Sequence, residues 1–303
     1  MGFTLVPVYK ENFIDRSILL DELYAELSNS KSNTGYALFG KRRVGKTSIF
    51  KELQWRLEEV KGIVPVYFSV WDLIEFTLLE FCQKLSIAIL EAYRPHLGIT
   101  YKIKELLKTP ITMLRQILDR AQLGVAYKEL EFLLSLNKNI DKDMLVENTF
   151  TLSERLSENL KCVLFIDEFP SIINLKDNNS SIGEPIIRKI RTIFEGWKKT
   201  SLCISGSIRS TMDLAVLSSS SPFYRQLIIK EVGPLDKKWV KELILRNLSN
   251  ISEEAISEIY SFSNGIPFYI QFLGKMLEKQ ETISIKDIKD VEDEFLQEEG
   301  NII

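Results

Sequence analysis

Residues 40–48 read Gly-Lys-Arg-Arg-Val-Gly-Lys-Thr-Ser and fill every fixed position of the pattern G-x-x-x-x-G-K-[ST]. That spacing makes a cradle for phosphate. Gly40 and Gly45 let the backbone turn tightly and bring amide N–H groups close to anionic oxygens. Lys46 is placed to reach β- and γ-phosphates, and the Thr47 hydroxyl is a ligand for Mg²⁺. Lys41, Arg42 and Arg43 raise the local concentration of anions. Val44 and Ser48 complete the loop, and the helix that follows turns its positive end toward the same phosphates.

A second pair of chemical groups, Asp167-Glu168, closes the apolar run Lys161-Cys162-Val163-Leu164-Phe165-Ile166. Phosphoryl transfer needs an acid to hold the metal and a base to orient the attacking water. Asp167 suits the first role and Glu168 the second. Adjacent carboxylates at the carboxyl end of a strand face the crevice where open α/β sheets bind ligands.

The elements that must position these groups follow from periodicity. Gly35–Phe39 is a short apolar run of the kind a buried parallel strand requires. Ile49, Leu53, Leu57 and Val60 recur at helical spacing before Gly62. Strand, glycine loop and helix are the setting the loop needs. Helices are predicted over 17–29 and from Leu78 to Tyr93. Ile63–Val70 is a strand, and Pro65 assigns it to a sheet edge. The block 100–160 predicts helices on Leu114/Ile117/Leu118/Ala121, Leu130/Leu133/Leu134 and Leu152/Leu156/Leu160, with Asp141 as N-cap of the last. After β-type Lys161–Ile166 come a polar loop at 175–183, a helix striped by Ile186, Ile190, Ile193 and Trp197, a strand from Leu202, and a short strand within Gln226–Val232. Alternation of strands and helices implies a parallel sheet covered on both faces. Beyond Gly233-Pro234 the pattern is helical throughout, with Asp236, Ser252 and Ser284 as N-caps and Asn264-Gly265 as a stop before Pro267.

Composition narrows the classes. The 303 residues are 45% apolar and carry a net charge of −3, which gives no global argument for nucleic-acid or membrane binding. Three scattered cysteines, Cys82, Cys162 and Cys203, point to a reducing compartment, the cytoplasm, and with the single His96 they form no zinc ligand set. The start MGFTLVPVYKENF lacks the basic and apolar regions of a signal peptide, and the apolar stretch 73–93 carries too many charged residues to span a bilayer.

Together these residues resemble an AAA+-type P-loop ATPase of the STAND clade, in particular the archaeal ATPase family. Four further stretches carry the resemblance over nearly the whole chain. Phe13-Ile14-Asp15-Arg16 resembles the family's F-x-[GD]-R stretch, which implies that Asp15 and Arg16 lie against adenine. Ser205-Gly206-Ser207 stands where the family carries its sensor-1 polar residue, so either serine, Ser207 foremost, is implied near the reaction. Ser221-Pro222-Phe223-Tyr224-Arg225 resembles S-P-L-Y-G-R without its glycine, which implies a charge-stabilising role for Arg225, from its own chain or a neighbour's. Asn264-Gly265-Ile266-Pro267 resembles the G-x-P motif of a helical lid, which implies a nucleotide contact for Pro267.

The resemblance implies an α/β AAA+-like parallel sheet covered by helices, residues 1–233, with a helical insertion at about 100–160, followed by a small all-helical lid at 234–303. ATP or ADP with Mg²⁺ is the implied cofactor. Three functions remain open: an ATPase, a slowly hydrolysing regulatory switch with an unknown protein partner, and a DNA-associated ATPase like the origin-recognition proteins. The last needs a basic surface that the net charge does not supply. The family often adds a C-terminal winged-helix domain; none is read here. The oligomeric state stays open.

Overall fold

The computed structural model describes residues 2–99, 102–108, 124–135, 141–157, 159–177, 180–207, 212–213, 216 and 218–300. The chain divides into two compact units. One gathers Met1–Leu20, Gly40–Glu52 and Glu231–Ile303; the other gathers Asp21–Phe39 and Leu53–Lys230.

The second unit is built on a sheet. Its strands are β1 (Tyr36–Phe39), β2 (Ile63–Ser69), β3 (Lys161–Asp167), β6 (Thr200–Gly206) and β7 (Ile228–Glu231), in the order β2-β3-β6-β1-β7. β2 pairs with β3, β3 with β6 and β6 with β1, all parallel. β2 stands at one edge, where the missing N–H of Pro65 costs least. Every residue of the central strands β3 and β6 is buried, which is why β3 reads as an apolar run from Cys162 to Ile166 and β6 carries a shorter one, Leu202–Ile204. Two more strands, β4 (Lys176–Asp177) and β5 (Ser180–Ser181), form a small antiparallel pair inside the stretch expected to be a polar loop.

The helices α1 (Ser17–Leu27), α2 (Lys46–Glu58), α3 (Leu78–Tyr93), α4 (Ile103–Leu106), α5 (Gly124–Ser135), α6 (Lys142–Leu156) and α7 (Gly183–Phe194) alternate with these strands in sequence. α3 packs on β2 and on α6, and α6 packs on α7. Asp141 caps α6 as expected, accepting from the N–H groups of Asp143 (2.8 Å) and Met144 (3.2 Å). The expected helix on Leu114–Ala121 lies outside the described residues. α7 ends before Trp197, which is buried beyond its terminus. Lys161, 2% exposed, donates to the carbonyls of Leu27 (2.8 Å) and Asn29 (2.9 Å) and so closes the C-terminal end of α1.

In the first unit, α8 (Lys237–Leu245), α9 (Glu253–Ser263), α10 (Pro267–Leu277) and α11 (Ile285–Gly300) share a core that includes Leu235, Val240, Ile259, Ile270, Leu273 and Ile288. The N-terminal arm belongs to this core. Phe3 lies over Gly274, where a Cβ would meet its ring at 2.2 Å, and Thr4 N–H donates to Gln271 at 2.9 Å. Ser252 caps α9 by accepting from Ala255 N–H at 3.1 Å. Asp236 stands at the expected N-cap of α8 but makes no capping bond; its charge acts on Arg16 instead. Ser284 donates its N–H and hydroxyl to Asp287, so the acid, rather than the serine, is the acceptor at the start of α11. Among the described residues no helix is long and apolar enough to cross a membrane.

All three cysteines are free and buried. Burial pushes the thiols of Cys82 and Cys162 up to about 12, raises that of Cys203 as well, and takes the Tyr36 phenol to about 12. A folded-state pKa above the unfolded one confers stability that is complete below the unfolded value and lost as pH rises through the folded value. Lys161 acts the other way between about 8 and 10.5, because burial lowers its pKa. The acidic groups outnumber it. The urea midpoint of the chain is expected to fall between pH 9 and pH 11.5; denaturation curves at half-unit pH steps check this, and a flat midpoint refutes it.

Candidate functional site

β1 runs out at Phe39 and the loop starts on the next residue. Gly40 is required by a close approach: a Cβ there would lie 2.3 Å from the Val232 carbonyl oxygen. Gly45 has φ +100° and Arg43 φ +66°, both left-handed, so the chain bends tightly before α2 begins at Lys46. Val44 is buried beneath the loop, whereas Lys41, Arg42 and Arg43 are exposed. Lys46 is only 5% exposed, and its ammonium donates to the loop carbonyls of Gly40 (3.0 Å) and Lys41 (3.1 Å). Thr47 and Ser48 are half-buried in the first turn of α2, and the Ser48 hydroxyl accepts from Val8 N–H at 3.1 Å.

Residues distant in sequence gather around this loop within the same unit. The Arg16 guanidinium donates to the carbonyls of Val44 (3.1 Å) and Gly233 (2.7 Å), tying the N-terminal arm to the loop. Burial lowers the Arg16 pKa, and the charges of Asp15 and Asp236 oppose that shift. Asp15 and Arg16 are consecutive left-handed residues, at φ 66° and 68°. Asn264 and Gly265, at φ 47° and 71°, stop α9, and Pro267 opens α10. The Pro267 ring lies 4.0 Å from where a Cβ of Gly45 would stand. The next residue, Phe268, has the Arg43 guanidinium over its ring at 4.0 Å, a cation–π contact.

The acids belong to the other unit. Asp167 is the last residue of β3 and only 3% exposed. Its Oδ1 accepts from the Ser205 hydroxyl and, at 3.2 Å, from Glu168 N–H; its Oδ2 accepts from the Tyr67 hydroxyl at 2.9 Å. Burial and the neighbouring Asp167 push the Tyr67 pKa upward, so the phenol stays a neutral donor. Glu168 has φ 51° and heads a short 3₁₀ turn, Phe169–Asn174. Its Oε2 accepts from the Ser207 hydroxyl at 3.1 Å. The Ser205 hydroxyl thus serves the Asp167 carboxylate and also accepts from Glu168 N–H at 3.3 Å, while Ser207 serves the Glu168 carboxylate. Registers run Phe39↔Gly206 and Ile166↔Ile204, so the carboxyl ends of β1, β6 and β3 form one edge of the sheet.

Arg225 does not join this edge. It is exposed, its guanidinium lies 5.2 Å from the Tyr224 ring, and it borders a cavity of about 580 Å³ with Gly35 and Phe194. Gly35 precedes β1, so that cavity lies at the amino end of the strand. One residue in each unit escapes sequence reasoning. Tyr67 is legible only as a member of a strand, although period-two alternation places it on the face shared by Ser69, which is in register with Asp167. Phe268 is hidden beside the more conspicuous proline.

No family model matches the chain. A segment of 110 residues, 36% of this chain, is 36% identical to an uncharacterized protein of Methanocaldococcus jannaschii, MJECL04, and spans 23% of that relative's length. The fold is similar to that of the Walker-type ATPase PABY2304 of Pyrococcus abyssi, with a TM-score of 0.66 at 17% identity, covering 99% of this chain and 79% of the other. It is also similar to the Aeropyrum pernix ORC1 protein solved in complex with DNA (TM-score 0.58, 11% identity, 96% and 67% covered) and to Cdc6p of Pyrobaculum aerophilum (0.53, 14%, 89% and 62%). The architecture is therefore AAA+-like: a five-stranded sheet covered by helices and followed in sequence by helices alone.

Gly40→Ala drives a Cβ into the Val232 carbonyl, which belongs to the backbone and cannot rotate away. The expected cost is about 1–3 kcal/mol, read as a lower urea midpoint, with weaker binding of anions at the loop. An unchanged midpoint would mean that the close approach is not a constraint.

Proposed function

We propose that this chain binds Mg·ATP through residues 40–48 and hydrolyses it, with turnover coupled to a conformational switch, as a member of the archaeal ATPase family of the STAND clade. The observation that carries the reading is a buried lysine in a complete G-x-x-x-x-G-K-[ST] loop. Within the sheet, β1, which leads by sequence into that loop, and β3, which ends at Asp167 just before Glu168, have their carboxyl ends on one edge. Residues 1–233 form the ATP-binding domain and 234–303 the helical lid.

Each residue has a role in this reading. The amides of the loop and the Lys46 ammonium hold the phosphates. Lys41, Arg42 and Arg43 attract the polyanion, and Val44 and Ser48 shape the loop. Thr47 and Asp167 offer the hard oxygen donors that Mg²⁺ prefers. Among the described residues no cluster of three or more His, Cys, Asp or Glu could hold a metal by itself. That fits a cation held by one carboxylate, a hydroxyl and the substrate's own phosphates. When bound, Mg²⁺ neutralises charge on the phosphate oxygens. Glu168 orients and deprotonates the attacking water, and Ser207 fixes the direction of its carboxylate. Asp15, Arg16 and Pro267 line the nucleotide from the N-terminal arm and the lid. Arg225 borders a cavity at the amino end of β1, so any charge it stabilises in the reaction belongs to a neighbouring copy.

The likeness to the Aeropyrum pernix ORC1 protein, solved with DNA, supports a second reading as a DNA-associated ATPase. The net charge of −3 weighs against it. Salt-sensitive binding to duplex DNA would favour that reading over a partner-protein switch.

Lys46→Ala is expected to weaken ATP binding by about ten- to hundredfold, the worth of a charge-assisted hydrogen bond. Glu168→Gln is expected to keep ATP affinity while turnover drops about 10²–10⁴-fold. Equilibrium binding of a fluorescent nucleotide and steady-state phosphate release measure the two effects. Undiminished affinity in Lys46→Ala would remove the phosphate site from residues 40–48.

A further inference from the structure

We infer that Tyr67 is a positioning residue for Asp167: its hydroxyl fixes the carboxylate in the orientation that receives the divalent cation. The inference rests on the functional reading above and adds a residue to its metal side.

Asp167 has protein donors on both carboxylate oxygens. Ser205 and the Glu168 N–H serve Oδ1, and Tyr67 serves Oδ2 at 2.9 Å. Donors on one oxygen alone would leave the carboxylate to swing about its Cβ–Cγ bond; a donor on the other oxygen removes that freedom. Tyr67 is well suited to the task. It lies on β2, in register with Phe165, two residues before Asp167 on the neighbouring strand. The ring spans that offset and is itself half-buried, so it has few rotamers to lose. A serine or threonine at the same position would be too short to reach Oδ2. The aromatic ring therefore serves as a rigid arm whose polar tip meets the acid.

Carboxylates that ligate metals are themselves hydrogen-bonded, and loss of such a supporting partner typically costs about 10–100-fold in metal affinity. Tyr67→Phe removes one oxygen atom and keeps the ring. The test uses the full chain with Mn²⁺ as a paramagnetic probe and a non-hydrolysable ATP analogue. Free Mn²⁺ is read by electron paramagnetic resonance, nucleotide affinity is measured in EDTA, and the thermal midpoint is recorded. The expected result is a loss of about tenfold or more in Mn²⁺ affinity, with metal-free nucleotide affinity unchanged and the thermal midpoint lowered, because the buried carboxylate loses a donor. An Mn²⁺ affinity in Tyr67→Phe equal to the parent's overturns the inference and leaves the functional reading intact. A loss of metal affinity matched by an equal loss of metal-free nucleotide affinity overturns it too, by making the hydroxyl a general structural support. If the parent chain binds nucleotide without taking up Mn²⁺, or binds neither, the functional reading itself fails. Ser205→Ala gives an independent check: it removes one of the donors to the other oxygen and is expected to weaken Mn²⁺ binding in the same sense.

Discussion

Burying charged groups is the constraint on which the remainder of this structure depends. Lys46 and Asp167 are each almost closed off from water, at 5% and 3% exposure. An ionised group in such surroundings is costly unless polar partners surround it. The chain supplies them locally. Lys46 is met by carbonyls of its own loop, and the loop can bring those carbonyls inward only because of Gly40 and Gly45. Asp167 is met by a tyrosine from the strand on one side and a serine from the strand on the other.

The same logic accounts for what the sequence made legible. The loop was readable because a glycine pattern is a backbone specification, and backbone demands leave residue-type signatures. Strands β3 and β6 were readable because burial on both faces forces an apolar run. Pro65 correctly marked an edge because a missing N–H has one cheap place in a sheet. The serines were ambiguous for a physical reason. Ser205 and Ser207 are two residues apart, at the spacing of one strand face, and offer identical chemistry, so sequence could not divide them. The structure assigns Ser205 to Asp167 and Ser207 to Glu168.

Elements whose partners are remote in sequence were the unreadable part. Tyr67 meets an acid 100 residues away, and no local pattern announces that pairing. Asp236 has the residue type of an N-cap, yet it makes no capping bond, and its charge is felt at Arg16, far earlier in the chain. The N-terminal arm is the clearest case. Residues 2–16 show no clear periodicity, but Phe3 and Thr4 meet α10, Val8 meets Ser48, and Arg16 meets the loop and Gly233. Its value lies in contacts with three separate stretches of chain.

That arm also bears on how much the fold-level likeness can carry. At 17% identity the likeness to PABY2304 establishes architecture, and architecture alone does not choose a substrate. The case for a nucleotide rests instead on convergence within one compact unit. The N-terminal arm, the loop at 40–48 and the start of α10 come from the beginning, the first third and the end of the chain, yet Arg16, Gly45, Arg43, Pro267 and Phe268 meet there. A glycine turn that only joined a strand to a helix would not require an arginine from one terminus and an aromatic residue from the other. Under the functional reading proposed above, a ligand that carries both phosphates and a base would use such breadth, because its anionic and apolar ends need different walls.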